Sequence, residues 1–167
     1  MSITSVLSFQ ASDTSRLIDA RGPRFGAWIT TVVLTLILAF NSRPVLLWQL
    51  VVFALGAFVS PQATPYAWLY QKVVRPRLRG DIPTEDIRPP QFAQLVGFLF
   101  LLIGTATTLA GASVIATVVL GFALAAAFLN AAFNFCLGCE MYLLIVRVRS
   151  VLGARKNSEE SYHLPSL

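Results

Sequence analysis

The sequence is poor in the residues that do polar chemistry: one histidine, His163, two cysteines and eight acidic residues among 167. The histidine lies in a polar tail and every acid lies outside the apolar runs. A buried His/Asp/Glu catalytic cluster therefore has no raw material, which disfavours hydrolase and intramembrane-protease chemistry. Two cysteines cannot close a structural zinc site, which takes four ligands; only a dimer contributing four thiolates would. No metal or cofactor is expected. Charge is scarce too, at 13% of residues, against roughly a quarter in soluble domains, so a lone soluble domain is not expected. Residues 1–17 have neither a basic n-region nor a small-residue cleavage site before a short apolar core, so no cleaved signal peptide is expected. The formal charge of +5 comes without an aromatic-basic RNA motif, and anionic lipid headgroups, not nucleic acid, are its natural counter-charge.

What the sequence has instead is long uncharged runs. Arg24 and Arg43 enclose 18 uncharged residues, Arg43 and Lys72 enclose 28, and Arg88 and Glu140 enclose 51. A helix crossing a bilayer needs about 20 apolar residues, so the runs hold one, one and two spans. The expected fold is an all-α membrane protein whose four transmembrane helices form two duplicated hairpins, each followed by a short amphipathic interfacial helix. The spans are placed at about 25–41, 44–59, 92–109 and 114–133. They lie in a single domain over 18–152, between an N-terminal tail (1–17) and a polar C-terminal tail (153–167). Asn41–Arg43 and Ala110–Ser113 are the hairpin turns, and a proline-rich connector runs from Ser60 to Gln91. A straight helix from Val114 to Val151 would measure about 57 Å, nearly twice the hydrocarbon thickness, so a break is expected near Cys136–Cys139.

Twelve of the 13 Lys and Arg residues fall in the N-terminal tail, the connector and the C-terminal segment; Arg43 alone falls in a hairpin turn. The positive-inside rule then puts both termini and the connector in the cytoplasm.

The two halves repeat. Asp19-Ala-Arg-Gly-Pro-Arg-Phe25 and Asp86-Ile-Arg-Pro-Pro-Gln-Phe92 match as D-x-R-x-P-x-F at an offset of 67 residues, and Tyr70–Arg77 and Tyr142–Arg149 match as Y-x-x-x-V-R-x-R at an offset of 72. Two motifs in the same order around two hairpins imply parallel halves related by an axis along the membrane normal. The offset of 72 places Cys136 opposite Thr64 and Cys139 opposite Ala67. Thr64-Pro65 reads as an N-cap and first helical residue, so Cys136 is expected at the start of a helix. Backbone N–H groups and the dipole there stabilise a thiolate, the means by which C-x-x-C thiols fall below a free pKa of about 8.5. Cys136 is the candidate nucleophile and Cys139, one turn on, the resolving thiol. The alternative is that both are small apolar residues of a membrane helix.

Asn130 and Asn134 precede the motif at helical spacing, as hydrogen-bond donors to a sulfur species or as glue between helices. Arg21, Arg24 and Arg88 read as lipid-facing charges or as an anion site over the cysteines. Gly121 and Ala125, with Ala123, Ala126 and Ala127, form a small-residue face for close helix packing. Trp28, Trp48, Trp68, Tyr66 and Tyr70 read as interfacial anchors.

The segments Ile18–Phe25, Val74–Leu78, Arg88–Gln94, Phe122–Leu124 and above all Phe135-Cys-Leu-Gly-Cys-Glu-Met-Tyr142 resemble a bacterial integral-membrane family catalogued as domain of unknown function 4395. The resemblance covers roughly 17–149. It implies a bacterial inner-membrane location and association with thioredoxin-like or rhodanese-like sulfurtransferase proteins, by analogy only. The expected function is thiol-disulfide exchange or persulfide relay with such a partner, Cys136 and Cys139 being catalytic and Asn130, Asn134, Arg24 and Arg88 contacting substrate. The alternatives are a non-catalytic membrane scaffold and a transporter of a small sulfur species; a quinone-linked disulfide generator, whose active pair would face the oxidising side, is a minor variant of the thiol reading. Short spans enclose little interior, so homo-oligomers are also expected.

Overall fold

The computed structural model describes residues 17–78 and 83–161, with side chains to 152. The order is β1 (Leu17–Asp19), α1 (Arg21–Phe40), α2 (Arg43–Phe58), a 3-10 turn (Pro61–Ala63), α3 (Pro65–Leu69), β2 (Thr84–Asp86), α4 (Arg88–Leu109), α5 (Ser113–Phe133) and α6 (Leu137–Ser161). The described part is mostly helical. Of its helices α1, α4 and α5 are long and apolar enough to cross a membrane; α2 is apolar but shorter. Large apolar side chains such as Phe40, Phe58, Val114 and Phe122 are exposed around the bundle, a surface that calls for lipid. The tail assigned to 1–17, Arg79 in the connector, and the side chains of 153–167 lie outside the described residues apart from Leu17.

Helices α1 and α4 begin four residues before the spans expected from sequence. The prolines placed just before those spans, Pro23, Pro89 and Pro90, sit in the first turn, where a missing N–H costs nothing. The Asp of each repeated motif sets the start: Asp19 Oδ1 accepts from Arg21 N–H (3.0 Å) and Asp86 Oδ1 from Arg88 N–H (2.9 Å). Asn41 and Asn134 close α1 and α5 in the left-handed region, at φ 49° and 55°, which Asn tolerates better than most residues. The break before Cys136 is therefore built by Asn134.

Two features correct the all-α expectation. β1 and β2 form a short antiparallel ribbon pairing Leu17 with Asp86, Ile18 with Glu85 and Asp19 with Thr84; three-residue strands leave no alternation to read. The second terminal helix is also not short, since α6 runs 25 residues, whereas α3 is a five-residue helix extended by a π turn and a 3-10 turn to Arg77.

The ribbon register maps onto itself under the 67-residue offset, because Leu17 corresponds to Thr84 and Asp19 to Asp86. The packing follows the same rule. Helix α1 lies along α5 and α2 along α4; within the halves α4 and α5 also pack closely on each other, while α1 and α2 touch less. Each half's first helix thus packs on the other half's second. Arg24 Nε donates to the Ala131 carbonyl near the end of α5 (3.1 Å), and Gln91, 67 residues later, donates to the Ala57 carbonyl near the end of α2 (3.1 Å); such terminal carbonyls have no partner within their own helix. Phe25 packs on Tyr70 (5.6 Å between centroids) and Phe92 on Tyr142 (5.8 Å). Leu34, Ile37, Leu46, Leu101 and Leu120 from four helices make the core.

Tyr70 is not an interfacial anchor: it is buried, and its hydroxyl donates to Asp19 Oδ2 (2.8 Å). Burial first, then the Asp19 hydrogen bond and charge, push its pKa up to about 12, so it stays a neutral donor. Tyr66 likewise turns inward, donating to Gln49 Oε1 (2.6 Å), while Gln49, wholly buried, donates to Thr30 Oγ1 (3.3 Å). The three tryptophans are exposed.

Candidate functional site: a cysteine pair on a membrane cavity

Helix α6 starts at Leu137, directly after Cys136. Cys139 N–H donates to Cys136 Sγ (3.3 Å) and Glu140 N–H to the Cys136 carbonyl (3.0 Å). Cys136 is thus the N-cap of α6. Its counterpart Thr64 caps α3 the same way, Oγ1 accepting from Ala67 N–H at 3.2 Å. The repeat therefore holds in the cap geometry, with sulfur in the place of a hydroxyl. Cys136 and Cys139 are joined in a disulfide with Cα atoms 5.2 Å apart, within the ordinary range. Both are partly exposed.

Gly138 between them fits this loop against α4. A Cβ built there would lie 2.6 Å from Ala93 Cα and 2.7 Å from Ala93 Cβ. The approach is to backbone, so no rotamer change relieves it.

The cysteines line a cavity of about 890 Å³ that Arg24, Asn130, Asn134 and Gln94 also line. The structure thus brings five of the six residues expected at the site to one cavity. Arg88 is elsewhere, its Nε 4.0 Å from Asp86 Oδ1 at the start of α4. Arg24 is committed through Nε to Ala131 and its side chain is largely exposed beside the cavity. The small-residue face of α5 also differs from expectation: a Cβ on Gly121 would meet nothing within 4 Å and Ala125 is exposed. Ala123 and Ala127 do pack against the core as expected, and with Ala126 they also line the cavity.

Two residues on the wall escaped the reading of the sequence. Gln94 Oε1 is buried and has no hydrogen-bond partner among the described residues; its only signal is its place two residues after the D-x-R-x-P-x-F motif. Glu85 lies on the ribbon side, its pKa raised by burial first and by the Asp19 carboxylate second. A carboxyl whose folded pKa exceeds its unfolded value supports the fold fully below that unfolded value and loses the contribution as pH rises through the folded one. Glu85→Gln should therefore match the parent in thermal unfolding below pH 4.5 and unfold at higher temperature near neutrality. Equal melting at both pH values would remove this account of Glu85.

The model of domain of unknown function 4395 (DUF4395) matches residues 18–147. The chain belongs to this family. No curated protein and no solved structure matches it. The matched region begins within the ribbon and ends in α6, so the repeated start motifs, the cavity and the cysteine pair all belong to the DUF4395 portion.

Proposed function

We propose that this DUF4395 protein is a four-span protein of the bacterial inner membrane that exchanges thiols and disulfides with a soluble, thioredoxin-like or sulfurtransferase partner. The observation that carries the reading is the capped sulfur: Cys136 Sγ accepts Cys139 N–H at the start of a long helix, inside a disulfide that lines a cavity. In the exchange, a partner thiolate attacks Cys136 Sγ, the Sγ–Sγ bond breaks and Cys139 leaves as thiolate. The partner's second thiolate attacks its own sulfur in the mixed disulfide and releases Cys136. Two electrons have moved to the cysteine pair, and the departing Cys136 thiolate is stabilised by the N–H and the helix dipole. The same thiolate would accept sulfur from a persulfide.

The ribbon supports four crossings. It holds the starts of α1 and α4 together, so a chain that crosses along α1 must return along α2, whose 16 residues span about 24 Å. The arginine asymmetry supports cytoplasmic termini and connector, which sets the cysteines on the cytoplasmic side with the starts of α1 and α4. A membrane-impermeant maleimide tests orientation and redox state together. The expected result is labelling only after cells are permeabilised, without added reductant, because cytosolic thiols are kept reduced. Labelling of intact cells, and only after reduction, would overturn the topology.

A further inference from the structure

The cavity beside the cysteines extends far beyond what a sulfur exchange needs. From Pro89 it follows α4 to Phe100, eleven residues or about 16 Å along the axis, half the thickness of the hydrocarbon. Its inner wall presents Phe53, Val96, Phe100 and Phe122, backed by the buried side chains of Leu34, Val52 and Leu101, and its outer end holds the cysteines, Asn130 and Asn134. The ribbon β1–β2 and α3 line it at the same end as the cysteines. At about 890 Å³ it has the size of a small-molecule site. An elongated apolar interior with a polar end at a redox-active pair selects a ligand with a lipophilic tail and a polar, two-electron head.

Building on the thiol-exchange reading, we infer that the cavity takes a lipid-soluble quinone, which reoxidises the cysteine pair. In the step the two S–H bonds of Cys136 and Cys139 break and the Sγ–Sγ bond forms. The two electrons and two protons released convert the quinone carbonyls to hydroxyls. The side-chain amides of Asn130 and Asn134 are donors suited to a quinone oxygen. The soluble partner thus delivers electrons at the cytoplasmic surface and the quinone carries them away in the bilayer.

Gly26 provides the test, because it lines the cavity and a Cβ there meets nothing within 4 Å. Gly26→Leu places bulk in the space without a clash, and leucine is the better helix former; Ala126→Phe narrows the opposite wall. The full chain, reduced in lipid nanodiscs and freed of reductant, is mixed with decylubiquinone, whose fully substituted ring resists thiol addition. It is mixed separately with the water-soluble disulfide dithiobis(nitrobenzoate). The parent should form one quinol per cysteine pair. Both variants should form it about tenfold more slowly, a change of the size expected from overfilling a site, with unchanged reaction toward the soluble disulfide and unchanged melting. Quinol formation at the parent rate in both folded variants would overturn the cavity as the site. No quinol formation by a parent that still reacts with the soluble disulfide would overturn the inference and leave thiol exchange standing. A parent inert toward both would remove both readings.

Discussion

Cys139→Ser, offered a soluble partner that keeps only its attacking cysteine, activated as the mixed disulfide with thionitrobenzoate, is expected to hold it in a covalent complex that survives non-reducing electrophoresis and dissolves with dithiothreitol. The Cys136 thiolate displaces thionitrobenzoate, and with neither Cys139 nor a second partner thiolate present nothing resolves the mixed disulfide. Cys136→Ser should capture nothing, because the sulfur that accepts the Cys139 N–H and sits at the helix start is then absent. Serine still caps a helix well, so both variants should accumulate and melt like the parent, and the double variant should lose all exchange activity. Equal trapping by both single variants would show that the cap does not select the attacking sulfur. Full activity in the double variant would leave the scaffold reading in place of thiol exchange.

Gly138→Ala carries the second large effect, and it is structural. The added methyl would meet the backbone of α4 at Ala93 Cα, and overpacking of this kind costs typically about 1–3 kcal/mol. Helix α6 must then move away from α4, and the Phe92–Tyr142 contact that joins the two helices opens with it. The expected outcome is a lower melting temperature together with slower exchange at Cys136. Gly121→Ala is the matching control, since its Cβ meets open space and alanine is the better helix former; it should melt no lower than the parent. If Gly138→Ala also melts like the parent, the close approach of the motif to α4 is wrong.

Much of the site was legible because its determinants are local. The sulfur cap follows from Thr64-Pro65 and the 72-residue offset, and a cap involves only residues one turn apart. The helix break follows from length, since one straight helix would outrun the bilayer. The Asp19 and Asp86 hydrogen bonds at the helix starts are two-residue contacts, and the place of each Asp in the repeated motif is visible in the sequence although its bond is not. The misreadings share a cause. An amphipathic residue such as Tyr70 reads outward, yet Asp19, 51 residues away, supplies a partner for its hydroxyl inside. Gly121 and Ala125 were read as a packing face because they are small, yet which side of α5 meets another helix depends on where α1 lies. Gln49 gave no signal, because a lone glutamine in an apolar run is interpretable only when Thr30 and Tyr66 are seen beside it.

By itself the sequence determined the apolar helices, the points where they stop, the duplication, and the position of a C-x-x-C at a helix N-terminus. All of these follow from hydrophobic run length and from contacts within a turn or two of chain. Only the tertiary structure decided that the halves pack crosswise, α1 on α5 and α2 on α4, that the two start motifs zip into a ribbon, and that Arg24, Asn130, Asn134 and the cysteines share a cavity while Arg88 stands apart. Those arrangements join residues from 34 to more than 100 positions apart, and no local propensity distinguishes a helix packed on its neighbour in sequence from one packed on its counterpart in the other half.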